Sequence, residues 1–202
     1  MPDSPLFAHS LMEARLYLMV TPCPSCRQGP LSDPKPHAVC EEGARSVVAI
    51  DAACAACHAA ITTTFQLPGG ITVNDEDGPV PINLTDDPSR IIDVAQWLTL
   101  FRIVSEQAAR ESDKIQARRL GIEAAQCLEE ALKFYDEIDN DLPPEEAFFH
   151  EGSRQRFRDN PEQFSRKRVI NLRSTLPFRS PTRSDASSWK PGDKPRWWRR
   201  HQ

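Results

Sequence analysis

Apolar and polar positions change their rhythm near residue 87. Before that point three short runs, Leu16-Tyr17-Leu18-Met19-Val20, Ser46-Val47-Val48-Ala49-Ile50 and Ile61-Thr62-Thr63-Thr64-Phe65, carry the β-branched and aromatic residues that favour extended strands. Gly69-Gly70 and Asn74-Asp75-Glu76-Asp77-Gly78-Pro79 break regular structure and predict a loop with a short hairpin over 71–73 and 80–84. After residue 87 the spacing becomes helical. Asp87-Pro88 reads as a helix start, and Ile91, Val94, Ala95, Leu98, Phe101, Val104 and Ala108 recur at three and four to about residue 110. Ile92, Trp97, Leu100 and Ile103 widen that stripe, so this helix is expected to be buried on two sides. A second helix over 112–138 places Gly121, Ala124, Ala125, Leu128, Ala131, Leu132, Tyr135 and Ile138 on one face, with small residues for close packing. A third opens at Pro144-Glu145-Glu146 and buries Phe148, Phe149 and Phe157. A fourth opens at Asn160-Pro161-Glu162 and runs to about residue 174, with Phe164, Val169, Leu172 and Leu176 inward and Arg166, Lys167, Arg168 and Arg173 exposed. The expected fold class is α+β: a small β unit followed by a bundle of about four helices.

Chemistry is concentrated in the β half. Cys23-Pro24-Ser25-Cys26 and Cys54-Ala55-Ala56-Cys57 each follow a β-prone run, and the second pair also precedes one. Two Cys-x-x-Cys pairs at this separation suit four thiolates converging on one tetrahedral Zn2+. This arrangement over residues 14–68 resembles a zinc ribbon, with Pro24 inside the first knuckle and with Arg27 and His58 where many ribbons carry Gly. The resemblance implies a closed structural zinc site of Cys23, Cys26, Cys54 and Cys57. His37, Cys40 and His58 lie close enough in sequence to replace one of them, whereas Cys127 reads as an ordinary thiol. Two other chemistries use the same atoms. Cys54-Ala55-Ala56-Cys57-His58 fits the haem-attachment pattern, which generally needs export, and Met1-Pro2-Asp3-Ser4 offers no basic leader while Glu13 and Arg15 interrupt the apolar run behind it. Thiol–disulfide exchange needs only one such pair, so it leaves the second unexplained.

The stretch 124–135 resembles the second helix of a tetratricopeptide-type unit, with alanines at a close helix crossing. No 34-residue self-similarity accompanies it, and an ordinary antiparallel helix pair is the expected arrangement.

Composition sets the remaining bounds. At 202 residues, 39% hydrophobic and 27% charged, the chain suits one or two small soluble domains without a membrane span. The net charge of −4 hides an asymmetry. Residues 1–150 hold 24 Asp and Glu against 11 Lys and Arg, a net −13, whereas residues 151–202 carry a net +9. Residues 1–13 read as an N-terminal segment, 14–86 as the ribbon with its following loop, 87–176 as the helical bundle and 177–202 as a disordered basic tail. Reduced metal-binding cysteines without an export signal suggest a cytoplasmic protein. In the tail Trp189, Lys190, Lys194, Arg196, Trp197, Trp198, Arg199 and Arg200 interleave indoles with cations, a composition that suits a nucleic acid or an acidic protein partner. Residues 14–68 are balanced, with Arg15, Arg27, Lys35 and Arg45 against Asp33, Glu41, Glu42 and Asp51, so direct phosphate binding by the ribbon is disfavoured. Glu129, Glu130, Asp136, Glu137, Asp139 and Asp141 fall on expected solvated faces at no acid–base spacing. His150 and Glu146 read as a surface pair, and neither a nucleophile elbow nor a glycine-rich phosphate loop is present. A non-enzymatic binding or adaptor protein with structural zinc is the expectation, with a nucleic-acid-associated factor as the alternative and an enzyme of unknown class as the third option.

Overall fold

A computed structural model describes residues 4–42, 45–69, 81–135 and 140–177. The N-terminal half forms a four-stranded sheet in the order β1-β4-β3-β2. Strands β2 (Leu31–Glu42), β3 (Arg45–Cys54) and β4 (Ala60–Pro68) make an antiparallel meander, and β1 (Leu6–Phe7) adds in parallel to β4, Leu6 opposite Phe65. The runs at 46–50 and 61–65 are thus strands as expected. Pro34 and Pro36 lie in β2, an edge strand, where proline is tolerated, and the register shifts beside both.

The run at 16–20 departs from expectation, because it forms the C-terminal half of α1 (Leu11–Val20) rather than a strand. The Ser10 hydroxyl accepts the Glu13 backbone N–H at 3.0 Å and starts the helix, and Leu11, Ala14, Leu16 and Leu18 are then buried. A Ser-x-x-Glu signature at 10–13 carried that information in the sequence. The cap and the burial outweigh a β preference worth only tenths of a kcal/mol per residue, about 1 kcal/mol across the whole scale.

The helix expected from residue 88 begins later, as α2 (Val94–Arg110). Asp93 and Gln96 form a reciprocal capping box, each side chain accepting the other's backbone N–H at 2.9 Å. Upstream, the buried Ser89 hydroxyl accepts from Ile91 and Ile92, which holds 89–92 as a turn. Of the hairpin expected at 71–73 and 80–84, residues 81–84 are irregular and the rest lies outside the described residues. α3 (Lys114–Leu132) is capped by Asp113 and packs along α2, burying Gly121, Ala124, Ala125, Leu128 and Ala131. Ile138 is outside the described residues.

The last two expected helices are each divided. A 3-10 turn at Glu145–Ala147 precedes α4 (Glu151–Asp159), and another at Pro161–Phe164 precedes α5 (Arg166–Ser174), which Ser165 caps. The breaks let Phe148 stack on Phe157 at 4.5 Å and meet Phe164 edge-on at 5.1 Å, a cluster that uninterrupted helices would splay. Arg173, expected in solvent, is buried, and its Nε donates to Glu129 at 2.7 Å. His150 is the exposed N-cap of α4 and makes no capping bond. A single buried cluster runs from Ala8 and Leu11 through Ile50 and Phe65 of the sheet to Trp97, Leu128 and Phe164 of the helices, so both halves share one core. Among the described residues no helix is long and apolar enough to cross a membrane.

Candidate metal centre

The two Cys-x-x-Cys segments sit at the same end of the sheet. The first joins α1 to β2, a helix-to-strand setting instead of the expected strand-to-strand one, and the second joins β3 to β4. Each folds into the same small turn. The Cys23 carbonyl accepts the Arg27 N–H at 2.8 Å while the Cys23 N–H donates to the Gln28 carbonyl. Likewise the Cys54 carbonyl accepts the His58 N–H at 3.0 Å while the Cys54 N–H donates to the Ala59 carbonyl. Arg27 and His58 both adopt left-handed backbone, φ 57° and 59°. They do so at the positions where glycine would relieve a strain of about 1–2 kcal/mol each. The knuckle geometry thus survives the replacement of Gly.

Sheet register then brings the turns face to face. Leu31 pairs with Cys54, and the Ala55 N–H donates to the Pro30 carbonyl at 3.1 Å. Gly29, at φ 54°, lies so close to the second knuckle that a Cβ there would stand 3.0 Å from Ala56 Cβ and 3.5 Å from Cys54 Sγ. As a result the four Sγ atoms all fall within 4.8 Å of one another, Cys23 to Cys57 at 3.8 Å and Cys26 to Cys54 at 3.6 Å. None of the four is in a disulfide. Thiolates at about 2.3 Å from a tetrahedral ion are separated by about 3.8 Å, so the quartet has the dimensions of a four-sulfur metal site.

Electrostatics favour the thiolate at the first cysteine of each pair. The Cys57 N–H, opposed by burial and assisted by the Ala56 N–H, lowers the Cys54 thiol to about 6. The Cys26 backbone likewise lowers Cys23. Cys26 moves the other way, to about 12, because burial and the three neighbouring thiols outweigh a favourable backbone hydrogen bond at Gln28. Four thiolates so close together repel one another unless a cation lies among them. The quartet could therefore hold a metal ion.

Among the described residues the metal-sized cluster holds the four paired cysteines and none of the additional candidates. His37 Nδ1 pairs with Asp51 Oδ2 at 2.9 Å. His58 is exposed, and Cys127 is buried in α3, where burial raises its thiol well above the ordinary range. Cys40 lies opposite Val47 in β2, and its side chain is outside what the structure describes. The buried members are the first cysteine of each pair, Cys23 and Cys54, the position that an exchange or haem-attachment motif has to present to its reactant.

The carboxylates give a mixed result. Asp141 accepts from the Ser165 hydroxyl at 2.7 Å and the Lys167 N–H at 3.0 Å, anchoring the start of α5, and the Ser165 bond lowers its carboxyl. Glu130 is buried rather than solvated. Asp136, Glu137 and Asp139 lie outside the described residues, as do the tail residues Trp189, Arg196, Trp197, Trp198, Arg199 and Arg200. No protein-family model, curated protein or solved structure matches the chain.

Proposed function

We propose that this is a non-enzymatic binding or adaptor protein built on a zinc ribbon, in which Cys23, Cys26, Cys54 and Cys57 hold one structural Zn2+. The observation that carries this reading is the closed quartet of sulfurs on two matching turns. Sulfur ligands favour zinc over the oxygen-seeking divalent ions, and four of them leave no coordination position for a water or a substrate. The metal's contribution is then to folding, about 10–16 kcal/mol of apparent binding energy. A reducing cytoplasm would keep such thiols available.

A protein partner is supported by the surface beside the first knuckle. A groove of about 530 Å³ there is bordered by Leu6, Tyr17, Pro24, Leu31 and Ile61 together with the hydroxyl side chains of Thr21 and Thr62, and among the described residues no charged side chain lines it. That character suits an uncharged protein segment better than a phosphate backbone. The charge of residues 151–202 supports the alternative, a nucleic-acid-associated factor that uses Trp189, Arg196, Trp197, Trp198, Arg199 and Arg200. Metal analysis of the native protein tests the first reading, with one zinc per chain expected and none overturning it. Titration of single-stranded nucleic acid at low salt separates the partners, since no binding by the full chain removes the alternative.

A further inference from the structure

Where the sheet half meets the helices, two acidic side chains are taken out of water. Glu13 of α1 is 0% exposed and Glu130 of α3 is 4% exposed. Glu13 Oε2 accepts the His9 backbone N–H and lies 3.0 Å from His9 Nδ1, but its Oε1 is buried without a hydrogen-bond partner. Glu130 Oε1 accepts from Lys133 Nζ at 2.7 Å and Oε2 from Asn83 Nδ2 at 3.4 Å. One short segment links the two. The Ser10 hydroxyl donates to the Ile82 carbonyl at 2.6 Å, Asn83 reaches Glu130, and Lys133 also donates to the Thr85 carbonyl at 2.7 Å.

A bare carboxylate oxygen in the interior is costly, and a second buried carboxylate nearby adds repulsion. A proton on Glu130 relieves the repulsion. We propose that Glu13 and Glu130 form a proton-operated joint, which clamps α1, the 81–93 loop and α3 together when Glu130 is protonated and loosens when Glu130 is ionised beside Glu13.

The environment of Glu130 supports this from every side. Burial is the main reason that its carboxyl is pushed up to about 7, with Lys133 opposing and Glu13 adding to the rise. α1 and the residues before it contribute Glu13 and His9, and the loop contributes neutral Asn83. α3 itself contributes Lys133, Cys127 and Glu129, and α5 contributes Arg173, which Glu129 already engages. A pocket of about 440 Å³ lined by Asn83, Ile122, Gln126, Glu130 and Arg173 gives solvent protons access. Because the folded carboxyl keeps a proton that the unfolded chain releases from its ordinary value of 4.5, the folded state binds more protons between about 4.5 and 7. Stability from this joint is therefore complete at the acid end of that window, falls as pH rises to about 7, and stays low above it.

Two measurements on the full chain test the joint. Carboxyl NMR titration should place the Glu130 midpoint near 7, and Glu13→Gln should lower it. Amide exchange, corrected for intrinsic pH dependence, should show α1 and 81–93 less protected at pH 8 than at pH 5.5 in the native protein and equally protected in Glu130→Gln. A Glu130 midpoint in the ordinary carboxylate range overturns the proposal, as does protection in the native protein that is the same at both pH values. If Glu130→Gln fails to fold, the titration of the native chain decides.

Discussion

Replacing Cys54 by serine is the most informative perturbation of the quartet. The change keeps side-chain size and the two backbone donors, Ala56 N–H at 3.3 Å and Cys57 N–H at 3.4 Å, but removes a sulfur that lies 3.6 Å from Cys26 Sγ. If a structural zinc supplies about 10–16 kcal/mol through four ligands, one ligand's even share is roughly 3 kcal/mol, and loss of the ion forfeits the whole. Even the smaller figure is a large part of an ordinary folding stability of about 5–15 kcal/mol. It corresponds to a fall in Tm of about 6–12 °C for a chain of this size. Cys54 also belongs to the shared core with Leu31 and Ile50, so the damage should spread beyond the turn. Cys127→Ser is the control. Its hydroxyl in a fully buried site will itself cost about 1–3 kcal/mol, so Tm alone does not discriminate. Metal content does: Cys54→Ser should lose the ion and Cys127→Ser should retain one per chain. Equal metal content in the two variants would refute the assignment.

Gly29→Ala should weaken metal binding and cost about 1–3 kcal/mol by chemical denaturation, because left-handed backbone strain adds to a 3.0 Å contact with Ala56; an unchanged midpoint would contradict the close approach of the knuckles. Leu128→Ala, at a fully buried position of α3, should cost about 2–5 kcal/mol in the same assay, and a loss well under 1 kcal/mol would show that this face is not the packed one. If the tail binds single strands, affinity should fall steeply with salt, and Trp197→Ala and Trp198→Ala should each lose about 1–3 kcal/mol; binding that persists after removal of residues 178–202 would place the contact elsewhere.

The readable parts of this chain were those whose information is local. The four cysteines announced themselves by spacing, because a two-residue gap is what lets two thiolates of one turn face a common point. The strands at 46–50 and 61–65 and the buried stripes around Leu98 and Leu128 followed from periodicity, and the helices' small residues from the packing they permit. Residues 16–20 are β-prone by composition alone, and only the Ser10 cap and Glu13 beside them mark the segment as helix. By sequence Glu13 is only an interruption of an apolar run, and Glu130 only one of several acids expected on a surface.

Tertiary structure decided what depends on residues distant in sequence. That Arg27 and His58 are held in left-handed backbone follows from the hydrogen bonds that close each knuckle. That the knuckles converge follows from the pairing of Leu31 with Cys54. Glu13 and Glu130 stand 117 positions apart in the chain, and nothing in the sequence pairs them. Their environment is set by α1 packing against the sheet and α2 while Asn83 and Lys133 close over the junction. Sequence periodicity reports which face of an element is apolar. It does not report which charged side chain another element will cover, because that desolvation is a property of the assembled core.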